Sequence, residues 1–312
     1  MTAVLTGQPD RVIGSSQLRR LAGYAAGSAS ASLGIASEIA AGAAHPLAGY
    51  GNDVDAWDPE YIARTLPVLM PPTQAYFRTE VHGLERIPDG PSLLVGNHSG
   101  GWMIVDTFLF TYAFYEHFGP ERRFHQLAHD LVARSPLLNH VRRYGVIAAN
   151  HENARRAFER DAPVLVYPGG DAETFRPSWR SAEIDFDQRR GWIRLALDAG
   201  VPIFPVVAIG GQETALFVTR GRRVAQALML DRMFRLTVLP VSIGPPLGIN
   251  VLDFPGRLPL PSKIELQVLD PIDLTERFGA DPDRDEVYDT VTAEMQDALD
   301  ALDRARGMPV VG

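Results

Sequence analysis

The chain has no cysteine. That absence excludes disulfides, zinc–thiolate sites and cysteine nucleophiles together, and it leaves the redox state of the compartment unmarked. Lysine is nearly absent too. Lys263 is the single lysine, and almost every basic side chain is arginine, a bias that a GC-rich genome produces without functional cause. Schiff-base chemistry and a Walker-type phosphate loop therefore have little to work with. No run of about 20 strongly apolar residues occurs, so no transmembrane helix is expected. Met1 to Arg20 lacks the basic-then-apolar order of a secretory signal. The net charge of −8 argues against broad nucleic acid binding, which calls for a clustered basic surface. The expectation is a cytoplasmic protein, soluble or held peripherally at the inner face of the cell membrane.

What is present is an ordinary globular composition, 46% hydrophobic and 22% charged over 312 residues. This suits one α/β domain with N-terminal decoration. We place the boundary between residues 75 and 76: a helical extension over 1–75, possible membrane contact included, and the main domain over 76–312. Leu18 to Ala48 is rich in Ala, Gly and Ser, with Glu38 inside it. It reads either as a small-residue helix packed on the domain or as a helix at a lipid interface. Asp58-Pro59-Glu60 opens a helix that is expected to fail at Met70-Pro71-Pro72.

Strands are expected at Tyr76–His82, Ser92–Gly96, within Arg122–His129, and at Gly145–Ala149, Pro163–Tyr167, Val201–Ile209, Arg235–Val241 and Lys263–Leu269. Helices are expected at Trp102–His117, Pro136–Arg143, Glu152–Arg160, Arg189–Ala199 and Asp285–Arg306, with a Pro/Gly-rich loop over Gly244–Pro261. The alternation predicts a mostly parallel central sheet flanked by helices on both faces. Several strands end in polar or Gly-rich turns: His98, Asn150-His151, Pro168 to Glu173 and Gly210 to Thr214. In such sheets the site lies beyond the carboxyl ends of the strands, so these four ends are expected to meet.

The chemistry centres on Ser92 to Asp106. An apolar strand is followed by Asn97-His98, then Ser99-Gly100-Gly101, then an apolar segment with one acid. A histidine at a buried strand end suits general-base work, and a nearby carboxylate can set its tautomer. The alternative is a histidine that satisfies local backbone groups in a βα turn. His125, His129, His140 and His151 make no metal-ligand pattern with nearby acids, and no metal site is expected. Trp102, Phe108 and Phe110 read first as core.

Asn97-His98 followed by an acid, then Tyr167-Pro168-Gly169-Gly170-Asp171-Ala172-Glu173, then Val201-Pro202-Ile203-Phe204-Pro205-Val206 form an ordered set. It resembles the glycerolipid acyltransferase superfamily, which includes the bacterial lysophosphatidate acyltransferases. The resemblance spans about Phe77 to Ile272. It implies that His98 deprotonates an acceptor hydroxyl, which attacks the thioester of an acyl-CoA or acyl carrier protein. No resident cofactor is implied, and the partners are that acyl donor and a lipid acceptor at a membrane surface. The implied substrate-binding positions are Asn97, Gly100, Gly101, Asn150, His151, Arg155, Pro168, Gly169, Gly170, Glu173 and Arg176.

The chain departs from that family at three places. The orienting Asp usually falls five residues after the His, where this chain has Met103. Asp106 lies eight residues on, about 12 Å along a continuous helix, unless Ser99-Gly100-Gly101 forms a loop before the helix starts. Asp106 is then the candidate partner; otherwise it is an acid in a first helical turn, favoured by the dipole. The third block lacks the Pro-Glu-Gly and Arg of phosphate-accepting members and is closer to the diacylglycerol branch, with Glu173 in place of that branch's acid and Arg176 just beyond. The second block lacks the usual Arg, with Asn150 and His151 near its position. A lysophospholipid, a diacylglycerol or another lipid alcohol all stay open as acceptor. Two readings of other classes stand beside this one: a thioesterase or lipase using water or Ser99, although no G-x-S-x-G elbow surrounds Ser99, and a non-catalytic lipid or acyl-CoA binder, suggested by Met103.

Overall fold

The computed structural model describes residues 51–101, 104–133, 139–230, 232, 237–246, 248–251, 253 and 257–308. The helix expected over Leu18–Ala48, Trp102, Met103, and the first residues of the elements expected at Pro136 and Arg235 lie outside the described residues.

Seven strands form the main sheet: β1 Glu80–His82, β2 Leu93–Gly96, β3 His125–Ala128, β4 Val146–Ala148, β5 Val164–Val166, β6 Ile203–Ile209 and, last in the chain, Glu265–Val268. Their order is β1, Glu265–Val268, β6, β2, β5, β3, β4. The five strands from β6 to β4 are mutually parallel. Glu265–Val268 runs antiparallel to β6 and parallel to β1. Alternation along each strand divides the core in two, because a sheet buried on both faces needs apolar residues on both. Leu93, Val95, Val164, Ile203 and Val207 face one cluster. Leu94, Leu165, Phe204, Val206 and Leu266 face the other.

Helices cover both faces. On the second face lie α1, Pro59–Phe77, and α2, Val105–Phe118. On the first lie α3, His151–Phe158; α5, Gly191–Ala199; and α6, Arg284–Ala305, the element α4, Gly170–Thr174, being a short turn at the sheet's carboxyl end. α6 buries Val287, Val291, Met295 and Leu299, one stripe at helical spacing. The sequence boundary between residues 75 and 76 falls inside α1, whose buried Tyr61, Ile62, Leu66, Met70 and Phe77 share the core of the sheet.

Three expectations are corrected. α1 does not fail at Pro71-Pro72 but continues to Phe77 with Pro67, Pro71 and Pro72 inside it. Each proline removes one helical hydrogen bond, and the burial of Met70 before Pro71-Pro72 and Phe77 after it offsets that loss. The strand expected from Tyr76 is consequently only Glu80–His82. Thirdly, the region expected as one strand at Arg235–Val241 followed by a loop is a second sheet. β7 Leu216–Thr219, β8 Val241–Gly244 and β9 Gly248–Val251 pair antiparallel in that order, and we number the closing main-sheet strand Glu265–Val268 β10. Four-residue strands between Gly and Pro give too short a period to separate from turns.

Asp58 starts α1. Its Oδ1 accepts the Tyr61 N–H at 2.9 Å, and its Oδ2 accepts from Arg143 Nε and Nη2 at 3.1 and 2.8 Å. Replacing a capping acid by Ala costs about 1 kcal/mol, so Asp58→Ala is expected to lower the melting temperature by roughly 2–4 °C. Asp58→Ser keeps the cap and should recover most of that loss. A Ser variant as unstable as the Ala variant would show that the cap contributes little.

Candidate active site

β2 is buried along its whole length, and this fixes where its carboxyl end projects. The next residue, Asn97, is fully buried. Its Oδ1 accepts the Ala208 N–H at 2.7 Å and its Nδ2 donates to the Ala208 carbonyl at 2.9 Å. The side chain thus continues the β2–β6 ladder past the end of β2. Asn97, expected to bind substrate, is committed to the backbone.

His98 follows with its side chain 12% exposed. Its ring stacks on Tyr167 at a centroid separation of 4.3 Å and 16° between planes. Its Nδ1 lies 3.1 Å from Asp106 Oδ2. A carboxylate only accepts, so Nδ1 carries a proton; in the neutral ring the lone pair is then on Nε2. Asp106 is fully buried. Its Oδ2 also accepts the Ser99 N–H at 2.7 Å and the Ser99 hydroxyl at 3.2 Å, and its Oδ1 accepts the Thr107 N–H at 2.7 Å. The Ser99 hydroxyl, a conceivable nucleophile, is therefore buried and spent on Asp106.

The spacing from His98 to Asp106 works because α2 begins only at Val105, so Asp106 lies in its first turn. Gly100 and Gly101 take φ of +91° and +65°, a region open to glycine at little cost. A Cβ on Gly101 would stand 2.6 Å from Asp253 Oδ2 and 2.9 Å from the Phe217 ring. These glycines shape the turn, and Gly101 also lines the cavity on which His98 lies.

Two buried charges hold the same turn from behind. Glu173 is fully buried. Its Oε2 accepts the His98 N–H at 2.9 Å and its Oε1 accepts the Asp185 N–H at 3.0 Å. Burial pushes its carboxyl up to about 7, against the pull of Arg176, the two amides and His98. Arg176 donates Nη1 to the His98 carbonyl at 2.5 Å, Nη2 to the Ser181 carbonyl at 2.7 Å and Nε to the Arg180 carbonyl at 2.9 Å. Both were expected to meet substrate. Instead they grip the two sides of the His98 peptide, and Arg176 has no face left for a phosphate. Gly169 packs on the Glu173 side chain, where a Cβ would stand 2.4 Å from Glu173 Oε2. The Pro168 carbonyl accepts from Arg189 Nη1 at 3.2 Å.

The small sheet supplies contacts that sequence reasoning missed. Arg257, with a fully buried side chain, donates Nη2 to the Gly100 carbonyl at 2.7 Å and Nε to Asp253 Oδ1 at 2.9 Å. Gln212 Oε1 accepts the Gly100 N–H at 3.2 Å, and its amide nitrogen donates to the Arg176 carbonyl. Only the polar turn after β6, Gly210 to Thr214, hinted at Gln212 in the sequence. Glu213 in that turn pairs with Arg306 at the end of α6.

His98 lies on a cavity of about 240 Å³. Its walls are largely apolar and include Ile104, Phe108, Leu127, Val132, Val141 and Val146. Gly170, Asp171 and Arg189 line it as well. Arg189 is paired with Asp171 at 3.1 Å and Asp187 at 3.7 Å. Burial opposes ionisation of Asp171, but the Thr237 amide and hydroxyl and Arg189 hold its carboxyl below the usual range.

The end of β4 does not deliver the expected ligands. Ala149 lines the cavity, but Asn150 caps α3 by accepting the Asn153 N–H at 2.8 Å. His151 is exposed, and its Nε2 lies 3.9 Å from where a Cβ on Gly191, at the start of α5, would stand. Arg155 is exposed and paired with Glu152 and Glu159. Phe108 reaches the cavity, whereas Phe110 is core. Among the described residues no group of three or more His, Asp or Glu could hold a metal ion.

An acyltransferase family model matches residues 78–209. The chain is 27% identical over 256 residues to an uncharacterized protein of Mycobacterium tuberculosis, covering 80% of this chain and 68% of that one. It is 33% identical over 131 residues to a human protein named "DGAT1/2-independent enzyme synthesizing storage lipids", covering 41% of this chain and 38% of the relative. Among solved structures it is similar to the 1-acyl-sn-glycerophosphate acyltransferase PlsC of Thermotoga maritima, at 16% identity and a TM-score of 0.45, with 78% of this chain and 83% of that chain covered.

The raised Glu173 carboxyl has a thermodynamic signature. Unfolded, the group ionises near 4.5; folded, it keeps its proton up to about 7. The folded state thus binds more protons between these values, and its stability falls as pH rises through that window. The stability advantage of wild type over Glu173→Gln is expected to be larger at pH 5 than at pH 8, read from urea midpoints. An advantage that grows with pH would mean that Glu173 ionises in the fold more readily than in the unfolded chain.

Proposed function

We propose, from the premise that residues 78–209 belong to the acyltransferase family, that the protein transfers a fatty acyl chain from acyl-CoA, or from an acyl carrier protein, to a lipid hydroxyl. One observation carries this reading: His98 Nδ1 sits 3.1 Å from the buried Asp106 carboxylate, with the ring on a largely apolar cavity. His98 Nε2 takes the proton of the acceptor hydroxyl as its oxygen attacks the thioester carbonyl. The tetrahedral adduct collapses, the C–S bond breaks, and His98 returns the proton to the departing thiolate. The net change is one C–O ester bond for one thioester. Asp106 holds the imidazole in the required tautomer and stabilises its cationic form. The apolar walls suit an acyl chain.

A neutral lipid alcohol, such as a diacylglycerol, is the acceptor this arrangement favours over a lysophosphatidate. Binding a phosphate at the site needs a guanidinium with donors to spare. Arg176 is spent on four backbone carbonyls, Arg155 is paired on the surface, and Arg189 is paired with Asp171 and Asp187. The storage-lipid enzyme among the relatives is in keeping with this choice.

The direct test is CoA release from palmitoyl-CoA with diacylglycerol, monoacylglycerol, lysophosphatidate and other lysophospholipids as acceptors. A thiol reagent serves as reporter without background, since the protein has no cysteine. Turnover is expected to need an acceptor, to be greater with the neutral ones, and to fall roughly 10²–10⁴-fold in His98→Ala while acyl-CoA affinity stays. Acceptor-independent release would point to a thioesterase, and binding without turnover to a lipid carrier. A preference for lysophosphatidate would overturn the acceptor assignment alone.

A further inference from the structure

The small sheet carries an apolar face on the outside of the molecule. Along β7, β8 and β9 the inner residues Phe217, Ser242 and Asn250 are buried. The residues between them are not: Leu216 is 49%, Ile243 39% and Ile249 69% exposed. Register lines these three up, Leu216 opposite Ile243 and Ile243 opposite Ile249. Val218 and Val251 are also exposed. The solvated face of an antiparallel sheet is normally polar. A cross-strand row of aliphatic side chains there marks an interaction surface.

The chain next to this row says what it meets. From Thr214 to Leu230 there are three arginines, Arg220, Arg222 and Arg223, and no acid, in a protein whose net charge is −8. Arg220 and Arg222 reach back to Asp185 and Asp187, and Arg223 is exposed. After them Val224, Leu228 and Met229 are each about half exposed. Exposed aliphatic side chains beside the exposed Arg223 fit an anionic lipid surface: the former enter the boundary between headgroup and acyl chain, and the guanidinium of Arg223 meets a phosphate. A second copy of the chain fits less well, because a twofold contact would set this arginine segment against itself.

The inner face of the same sheet supports the catalytic turn. Phe217 packs where Gly101 would carry a Cβ, Ser242 donates to Asp253, and Arg257 holds the Gly100 carbonyl. A lipid surface on the outer face therefore lies one sheet away from the turn that carries His98. We infer that the outer face of β7–β9, with the arginine-bearing segment after it, is the surface by which the protein seats on an anionic bilayer. This rests on the lipid acyltransferase reading and adds to it a named docking face.

The test uses the full chain and sedimentation with two kinds of vesicle, phosphatidylcholine alone and phosphatidylcholine with phosphatidylglycerol. Wild type is expected to bind the anionic vesicles and not the neutral ones. Ile249→Glu and Arg223→Glu should each weaken that partition, and together lower it at least tenfold, with unchanged melting. Leu228→Glu, on the segment rather than the sheet, serves as a second apolar probe should Ile249→Glu melt early. Variants that bind like wild type, or a wild type that ignores anionic vesicles, would overturn the proposal. So would a wild-type dimer in solution that Ile249→Glu dissociates, which would assign the face to self-association. Acyl transfer on short-chain, water-soluble substrates is measured alongside. Its absence beside intact, variant-sensitive vesicle binding counts against the acyltransferase reading and leaves the docking face standing.

Discussion

The His98 turn is held by three ionisable side chains that are buried in the protein. Glu173 takes the His98 N–H, Arg176 takes its carbonyl, and Asp106 takes its ring. All three ionisable groups are buried, and a buried ionisable group is tolerated only when its hydrogen-bonding capacity is filled. Glu173 and Arg176 are filled by backbone groups, and Asp106 by two backbone amides and the side chains of His98, Ser99 and Thr107. The turn and the charges are thus mutually necessary. Without the turn, the charges would be stranded; without the charges, a Gly-rich turn would have many conformations available. The arrangement holds one imidazole in one orientation.

The small sheet belongs to the same device. Arg257 and Asp253, both with fully buried side chains, stand between that sheet and Gly100-Gly101. The His98 turn is therefore clamped from two directions: by the Glu173–Arg176 segment that follows β5 and by the segments around β7–β9. Every donor of Arg176 or Arg257 named here ends on a carbonyl or a carboxylate of the protein. From the sequence, Arg176 is expected among the substrate-binding residues and Arg257 has no expected role.

The parts legible in the sequence were those set by local periodicity and by glycine. The buried strands β2, β5 and β6 are continuous apolar runs, and the break after β2 announced a loop. The loop explains how Asp106 reaches His98 across eight residues. What stayed hidden depends on partners far away in the chain. Asn97 bonds to Ala208, Glu173 and Arg176 bond to His98, and Gln212 and Arg257 bond to Gly100. A polar residue beside a glycine looks the same whether it faces a ligand or a peptide group. Helix α1 was misjudged for a related reason, since its prolines forbid local bonds that distant packing makes up for.

The edge strand β1 pairs with a single neighbour, β10, whose residues come some 180 positions later, as Glu80 opposite Glu265. Around this pair Phe77 accepts the Ile264 N–H, and the Tyr76 hydroxyl and Arg78 reach the Pro259 and Pro261 carbonyls. On a ribosome, then, the end of α1 and β1 wait for nearly the whole domain to be made before their strand partner exists. Contacts of such separation form slowly, because the loop must close before any of its bonds can repay it. During that interval the edge of the growing sheet is β6, an apolar strand with one side unpaired. The first and last segments of the domain therefore close the sheet together, and the nascent chain carries an open edge until they do.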